Sequence, residues 1–109
     1  MLKDKSQLQK LGYTNQMARD FDDPVYKDWR KKVLNRDSYK CQMPGCKRKG
    51  RRMQVHHIQK WSTASSLRFE VSNGITLCWD CHKEVNGKEA IYSGLFYGIV
   101  QRNDNENSN

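Results

Sequence analysis

Residues 74–87, GITLCWDCHKEVNG, change character twice along their length. The opening GITLC is apolar and β-branched, which predicts a strand. Cys78 and Cys81 then form a C-x2-C knuckle, a turn that aims two sulfurs at one point. WDCHKEVNG (residues 79–87) predicts a short helix ended by Gly87, which suits the left-handed position at which helices end. On that helix His82 and Asn86 are four residues apart and share a face, while Cys81 and Val85 lie on the adjacent one. The knuckle thus pins one side of the helix, and two side chains with lone pairs look out from the other.

One knuckle is half of a tetrahedral site, and the other half stands upstream. In SYKCQMPGCKRKG (residues 38–50), Cys41 and Cys46 form a C-x4-C knuckle with Pro44 and Gly45 making the turn. Two disulfides or four buried thiols are the other uses of such cysteines. The opening MLKDKSQLQK is charged from its third residue and lacks the apolar run of an export signal, and no stretch has the length and apolarity of a membrane span. An intracellular setting is therefore expected, and disulfides are rare there. The paired knuckles predict a structural zinc site of Cys41, Cys46, Cys78 and Cys81. The 109 residues suit one domain, and a chain with 36% apolar residues and a mean hydropathy of −1.00 needs such a staple for its small core.

Between the knuckles, residues 54–61 read QVHHIQKW. Val55 and Ile58 favour a strand, so this stretch predicts the first half of a β-hairpin. Residues 62–74 (STASSLRFEVSNG) carry no helical stripe and predict its connecting loop, and GITLC predicts its second half. Neighbouring side chains on a strand point to opposite faces, so His56 and His57 cannot do the same job. Once the hairpin packs on the helix, one of them can join His82 and the Asn86 carbonyl oxygen around a second metal. The other then points elsewhere, available as a base. Paired strand histidines are often one exposed and one core residue, but all three histidines of this chain fall in the pattern.

Further out, DDPVYKDWRKKVLNRD (residues 22–37) predicts a helix capped by Asp23, with Pro24 in its first turn and basic residues toward its end. Val25, Trp29 and Val33 form an apolar stripe with Leu34 beside it. Residues 1–22 predict a polar arm anchored only by Leu2, Leu8 and Leu11. EAIYSGLFYGIV (residues 89–100) fits a helix through Ile91, Leu95 and Ile99 but also tolerates a strand. QRNDNENSN (residues 101–109) predicts a disordered tail.

The net charge is +8, and it is concentrated. Residues 27–60 carry twelve Lys and Arg against Asp28 and Asp37, while the remainder is slightly acidic. Such a patch is either a solvated face or a surface for a polyanion. Lys47, Arg48, Lys49, Arg51 and Arg52 lie between knuckle and hairpin, placed to grip backbone phosphates.

In order and spacing, VHHI, Asn73 and LCWDCH resemble the HNH endonuclease family, the zinc-bound ββα-metal nucleases, and the helix leading into RDSYKCQMPGC is similar to one that precedes the motif in many members. The resemblance covers about residues 24–90, within a domain expected over residues 23–100. It implies an α+β fold: a ββα-metal (His-Me finger) core of hairpin plus helix, stapled by the four-cysteine zinc site and preceded by a helix. It implies a metal-dependent endonuclease that hydrolyses phosphodiester bonds of double-stranded DNA, leaving 5′-phosphate and 3′-hydroxyl ends. By position, His56 matches the ligand of the catalytic metal, His57 the general base held by a backbone carbonyl, Asn73 the residue that fixes the loop orienting that base, and His82 the helix ligand. Asn86 stands where many relatives carry a second helix histidine. Asn is a weaker ligand, so Mg²⁺ or Mn²⁺ is expected in place of a tightly held soft metal. With no separate recognition domain in view, low sequence specificity is expected. The alternatives are a non-catalytic zinc module that binds nucleic acid or a protein, and the nuclease component of a larger machine, as small phage HNH proteins are. In the second case the N-terminal arm and residues 89–100 become docking surfaces.

Overall fold

A computed structural model describes residues 20–107, so almost all of the expected N-terminal arm lies outside the described residues. The elements run α1 (Pro24–Arg36), β1 (Gln54–His57), β2 (Gly74–Leu77), α2 (Trp79–Val85) and α3 (Glu89–Asn107). β1 and β2 form an antiparallel hairpin that pairs Val55 with Thr76, His56 with Ile75 and His57 with Gly74. The connecting loop holds two 3-10 turns, Ser65–Leu67 and Val71–Asn73. α2 follows β2 directly, so the expected hairpin-plus-helix unit is present with its preceding helix. No helix of the described residues is long and apolar enough to cross a membrane.

α1 starts as its sequence predicts, with the Val25 amide donating to Asp23 Oδ1 at 2.9 Å and Pro24 in the first turn. Its buried face is rotated from the expected stripe. Tyr26, Trp29 and Val33 are buried, whereas Val25 is 54% exposed. An i, i+3, i+7 row meets the hairpin here in place of i, i+4, i+8. The approach is close. A Cβ on Gly74 would fall 2.6 Å from Val33 Cγ2 and 2.7 Å from Trp29 Cζ2, so β2 accepts α1 only with glycine there. The other face of the hairpin covers the larger core, where Ile58, Ile75, Leu77, Val85 and Phe96 meet.

The end of α1 supplies a polar staple. Arg36 and Asp37 form a buried bidentate pair, Nε to Oδ1 at 2.8 Å and Nη2 to Oδ2 at 2.9 Å. Arg36 also donates to the carbonyls of Val71 and Gly74, and Asp37 Oδ2 accepts the Thr76 amide. Every charge of the pair is thus matched, the condition under which burying an ion pair is tolerable. The pair ties α1 to β2 and to the loop before it.

Residues 89–107 form one helix, which decides the ambiguous segment and corrects the disordered tail for residues 101–107. Two side chains explain the extension. Asn103 Nδ2 donates to Asp37 Oδ1 and Gln42 Oε1, both at 2.9 Å, and Asn107 Nδ2 donates to the Arg36 carbonyl at 2.9 Å. A polar composition therefore docks through hydrogen bonds rather than apolar burial. The buried face of α3 is Phe96, Ile99 and Val100; Ile91 and Leu95 of the expected stripe are exposed.

Candidate functional site

The four cysteines converge. Their sulfurs all lie within 4.8 Å of one another, and all four residues are free thiols. A tetrahedral zinc with Zn–S of about 2.3 Å sets its sulfurs roughly 3.8 Å apart, and Cys46 Sγ sits 3.9 Å from Cys78 Sγ. Each knuckle is shaped by its backbone. Gly45 takes φ of +86° in the first turn, where Cys41 donates to the Arg48 carbonyl at 2.9 Å. In the second, the Cys81 amide points at Cys78 Sγ. Burial opposes ionisation of Cys78, but the Cys81 amide and neighbouring thiols outweigh it and bring it down to about 7. Burial pushes Cys41 up, and burial with the Cys78 sulfur pushes Cys81 well up. Four sulfurs this close cannot all ionise without a cation among them, so the donor set fits Zn²⁺.

A cleft of about 440 Å³ is lined by His56, His57, His82 and Asn86 among others. The strand divides the histidine pair as alternation requires. His56 faces the helices, its ring centroid 5.5 Å from His82 and 5.8 Å from Phe96. His57 faces α1, stacked on Trp29 with centroids 4.2 Å apart and meeting Trp61 edge-on at 5.5 Å. His57 Nε2 lies 3.0 Å from the Arg68 carbonyl oxygen. A carbonyl only accepts, so this nitrogen carries the proton and Nδ1 carries the lone pair of the neutral ring.

Asn73 does not line the cleft; it is buried behind it. Its Oδ1 accepts the Gln59 amide at 2.9 Å and the Tyr97 hydroxyl at 2.8 Å, and its Nδ2 donates to the carbonyls of Leu67 and Gln59. The two ends of the hairpin loop are thereby tied together around one side chain. Asn86 caps α2 rather than extending it, its amide donating to the His82 carbonyl at 3.0 Å, and still reaches the cleft.

The five basic candidates separate. Lys47, Arg48 and Lys49 surround the Cys41–Cys46 knuckle, and Arg48 is paired with Asp80. Arg51 instead lines a groove of about 680 Å³ with Lys27, Arg30 and Lys31 of α1. Arg52 is exposed beside it in the chain. Arg30 lines both this groove and the histidine cleft, which Lys60 also reaches. Sequence reasoning missed several participants. Trp29 read as plain core, although an aromatic on the helix that covers His57 was the available signal. Trp61, Lys60 and Glu89 carried none that set them apart. Arg68 acts through its carbonyl, which no sequence pattern reveals; its side chain donates to the Trp61 carbonyl and lies over the Trp61 ring.

Residues 41–88 match the family model described as HNH endonuclease. Neither a curated protein nor a solved structure matches the chain.

Proposed function

Because the stretch Cys41–Lys88 belongs to the HNH endonuclease family, we propose that the chain is a metal-dependent endonuclease that hydrolyses phosphodiester bonds of double-stranded DNA. The observation that carries this reading is the state of His57. Its Nε2–H is committed to the Arg68 carbonyl and its ring plane is held by Trp29, at a cleft shared with two further imidazoles and the Asn86 amide. A purely structural histidine has no need of a fixed tautomer beside such a cleft.

In this scheme His57 Nδ1 takes the proton of the attacking water, a step that suits an imidazole near neutral pH. His56 and His82 come from facing elements, and a 5.5 Å separation of their rings suits two imidazoles turned toward one ion. With the Asn86 amide oxygen they would hold Mg²⁺ or Mn²⁺. A divalent ion there supplies Lewis acidity toward the phosphate and the departing 3′ oxygen. Asn73 positions rather than reacts, keeping the loop that carries the Arg68 carbonyl fixed against the strand that carries His57. Products with 5′-phosphate and 3′-hydroxyl ends follow from water attack with loss of the 3′ oxygen.

Arg30 and Lys60 at the cleft, continuous with Lys27, Lys31 and Arg51 in the adjacent groove, give the DNA backbone a cationic track. Such contacts position a duplex without reading its sequence, consistent with low intrinsic specificity. The zinc is structural, and cysteines kept as thiols for it support an intracellular setting. Exposed Ile91 and Leu95 on α3 favour a second reading in which this nuclease works inside a larger assembly, docked through residues 89–100. Conversion of supercoiled plasmid to nicked or linear form with added Mg²⁺ or Mn²⁺ tests the main reading. DNA binding without any cleavage would leave a non-catalytic zinc module.

A further inference from the structure

Glu89 is the acidic side chain of the histidine cleft, and the scheme above gives it no task. It begins α3, three residues beyond Asn86. Its Oε2 is buried and accepts no hydrogen bond from the protein. Among the described residues it enters none of the ion pairs, whose acids are Asp22, Asp28, Asp37, Asp80 and Glu84. A carboxylate oxygen withdrawn from water with nothing donating to it is unfavourable. The dipole of α3 does not account for the burial, because a carboxylate in the first turn gains that interaction while remaining solvated. Glu89 lines the same cleft as the imidazoles of His56 and His82 and the amide of Asn86.

The chemistry of that cleft asks for a negative oxygen. His56, His82 and Asn86 are all neutral donors, so they bring no negative charge to a divalent cation. The set is also open. Among the described residues only the four cysteines bring three or more His, Cys, Asp or Glu ligand atoms within 4.8 Å of one another, so His56, His82 and Glu89 do not close directly on one ion. A hard cation that keeps several waters and takes one carboxylate fits an open site of this kind.

We propose that Glu89 is the anionic anchor of the divalent cation in this cleft, its carboxylate accepting hydrogen bonds from the ion's water shell, and that its charge tunes the site toward Mg²⁺ and Mn²⁺. The proposal rests on the nuclease reading for the place of the ion and adds to it the residue that supplies the charge. It requires no DNA and no turnover to be examined.

The test is Mn²⁺ binding to the zinc-loaded full chain without DNA, followed by electron paramagnetic resonance of the free ion. Wild type, Glu89→Gln and His56→Ala are compared, with zinc content and melting temperature as controls. Glu89→Gln is expected to weaken Mn²⁺ by roughly 10–100-fold, the usual effect of removing an outer partner of a metal site, with zinc content unchanged. His56→Ala is expected to weaken it as well. Wild-type affinity in Glu89→Gln with weakened binding in His56→Ala overturns the role of Glu89 and leaves the site standing. Wild-type affinity in both variants, or no binding by the wild type, overturns the site itself. If Glu89→Gln fails to fold, Mn²⁺ titrated into ¹³C-labelled wild type decides. The Glu89 carboxylate must broaden ahead of those of Glu84 and Glu106, and simultaneous broadening of all three overturns the proposal.

Discussion

His57 donates through Nε2 to the carbonyl oxygen of Arg68 at 3.0 Å. The bond spans eleven residues of loop, so the orientation of the ring depends on how firmly that loop is held. Two devices hold it: the Arg68 guanidinium, which turns back to the Trp61 carbonyl and ring, and Asn73, which bonds both loop ends. If His57 is the base, as proposed, it is only as well aimed as its loop is ordered, and mutations that never touch the cleft should register in catalysis.

Tyr97→Phe isolates one such link, the 2.8 Å bond from its hydroxyl to Asn73 Oδ1. Since Gln59 still donates to that oxygen, stability should fall by only about 0.5–1.5 kcal/mol. Asn73→Ala strands the Leu67 and Gln59 partners together and should cost more, with cleavage reduced further than the fraction unfolded accounts for. Denaturant melts paired with cleavage rates on the same preparations check both.

Gly74→Ala should move α1 away from the hairpin. The added methyl meets Val33 and the Trp29 ring below van der Waals distance, and Trp29 is the ring on which His57 stacks. Overpacking of this kind costs about 1–3 kcal/mol. A melting curve shows the loss of stability, and Trp29 fluorescence reports the shift of the ring.

Cys41→Ser or Cys78→Ser should yield a largely unfolded chain, as should a strong chelator acting on the wild type. Zinc contributes about 10–16 kcal/mol to the folding of small zinc-finger peptides, and the core here is small. Zinc content by mass spectrometry with circular dichroism checks this. A metal-free wild type that keeps its native spectrum would count against a structural zinc.

The double change Lys31→Ala, Arg51→Ala removes two cations from the groove continuous with the cleft. Affinity for every duplex should fall alike, with the salt dependence flatter by roughly one to two units of slope. Lys47→Ala, Lys49→Ala at the knuckle should matter less. Equal effects of the two pairs would spread the DNA footprint over the zinc side as well.

Much of this molecule was legible in its sequence because its strongest signals are local. The C-x4-C and C-x2-C knuckles, the Asp23–Pro24 helix start and the β-branched GITLC segment each specify structure within a few residues, and period-two alternation alone separates His56 from His57. What stayed hidden depends on contacts distant along the chain. The Arg36–Asp37 pair read as two more surface charges, and nothing near it in sequence indicates that it would be buried against Val71, Gly74 and Thr76. The helical end of α3 was invisible for the same reason, since Asn103 and Asn107 dock on partners more than sixty residues away. The burial of Tyr26 and exposure of Val25 also stayed hidden, because helical periodicity alone lets either residue join Trp29 and Val33.

The central claim, that His57 is the base and His56 a metal ligand, is tested most directly by plasmid cleavage as a function of Mg²⁺ or Mn²⁺ for the wild type, His57→Ala and His56→Ala. The account predicts that His57→Ala is slower by about 10²–10⁴-fold at every metal concentration, with zinc content and DNA affinity retained, while His56→Ala recovers part of its activity as metal is raised. Wild-type cleavage by His57→Ala would contradict it, as would rescue of His57→Ala and not His56→Ala by high metal.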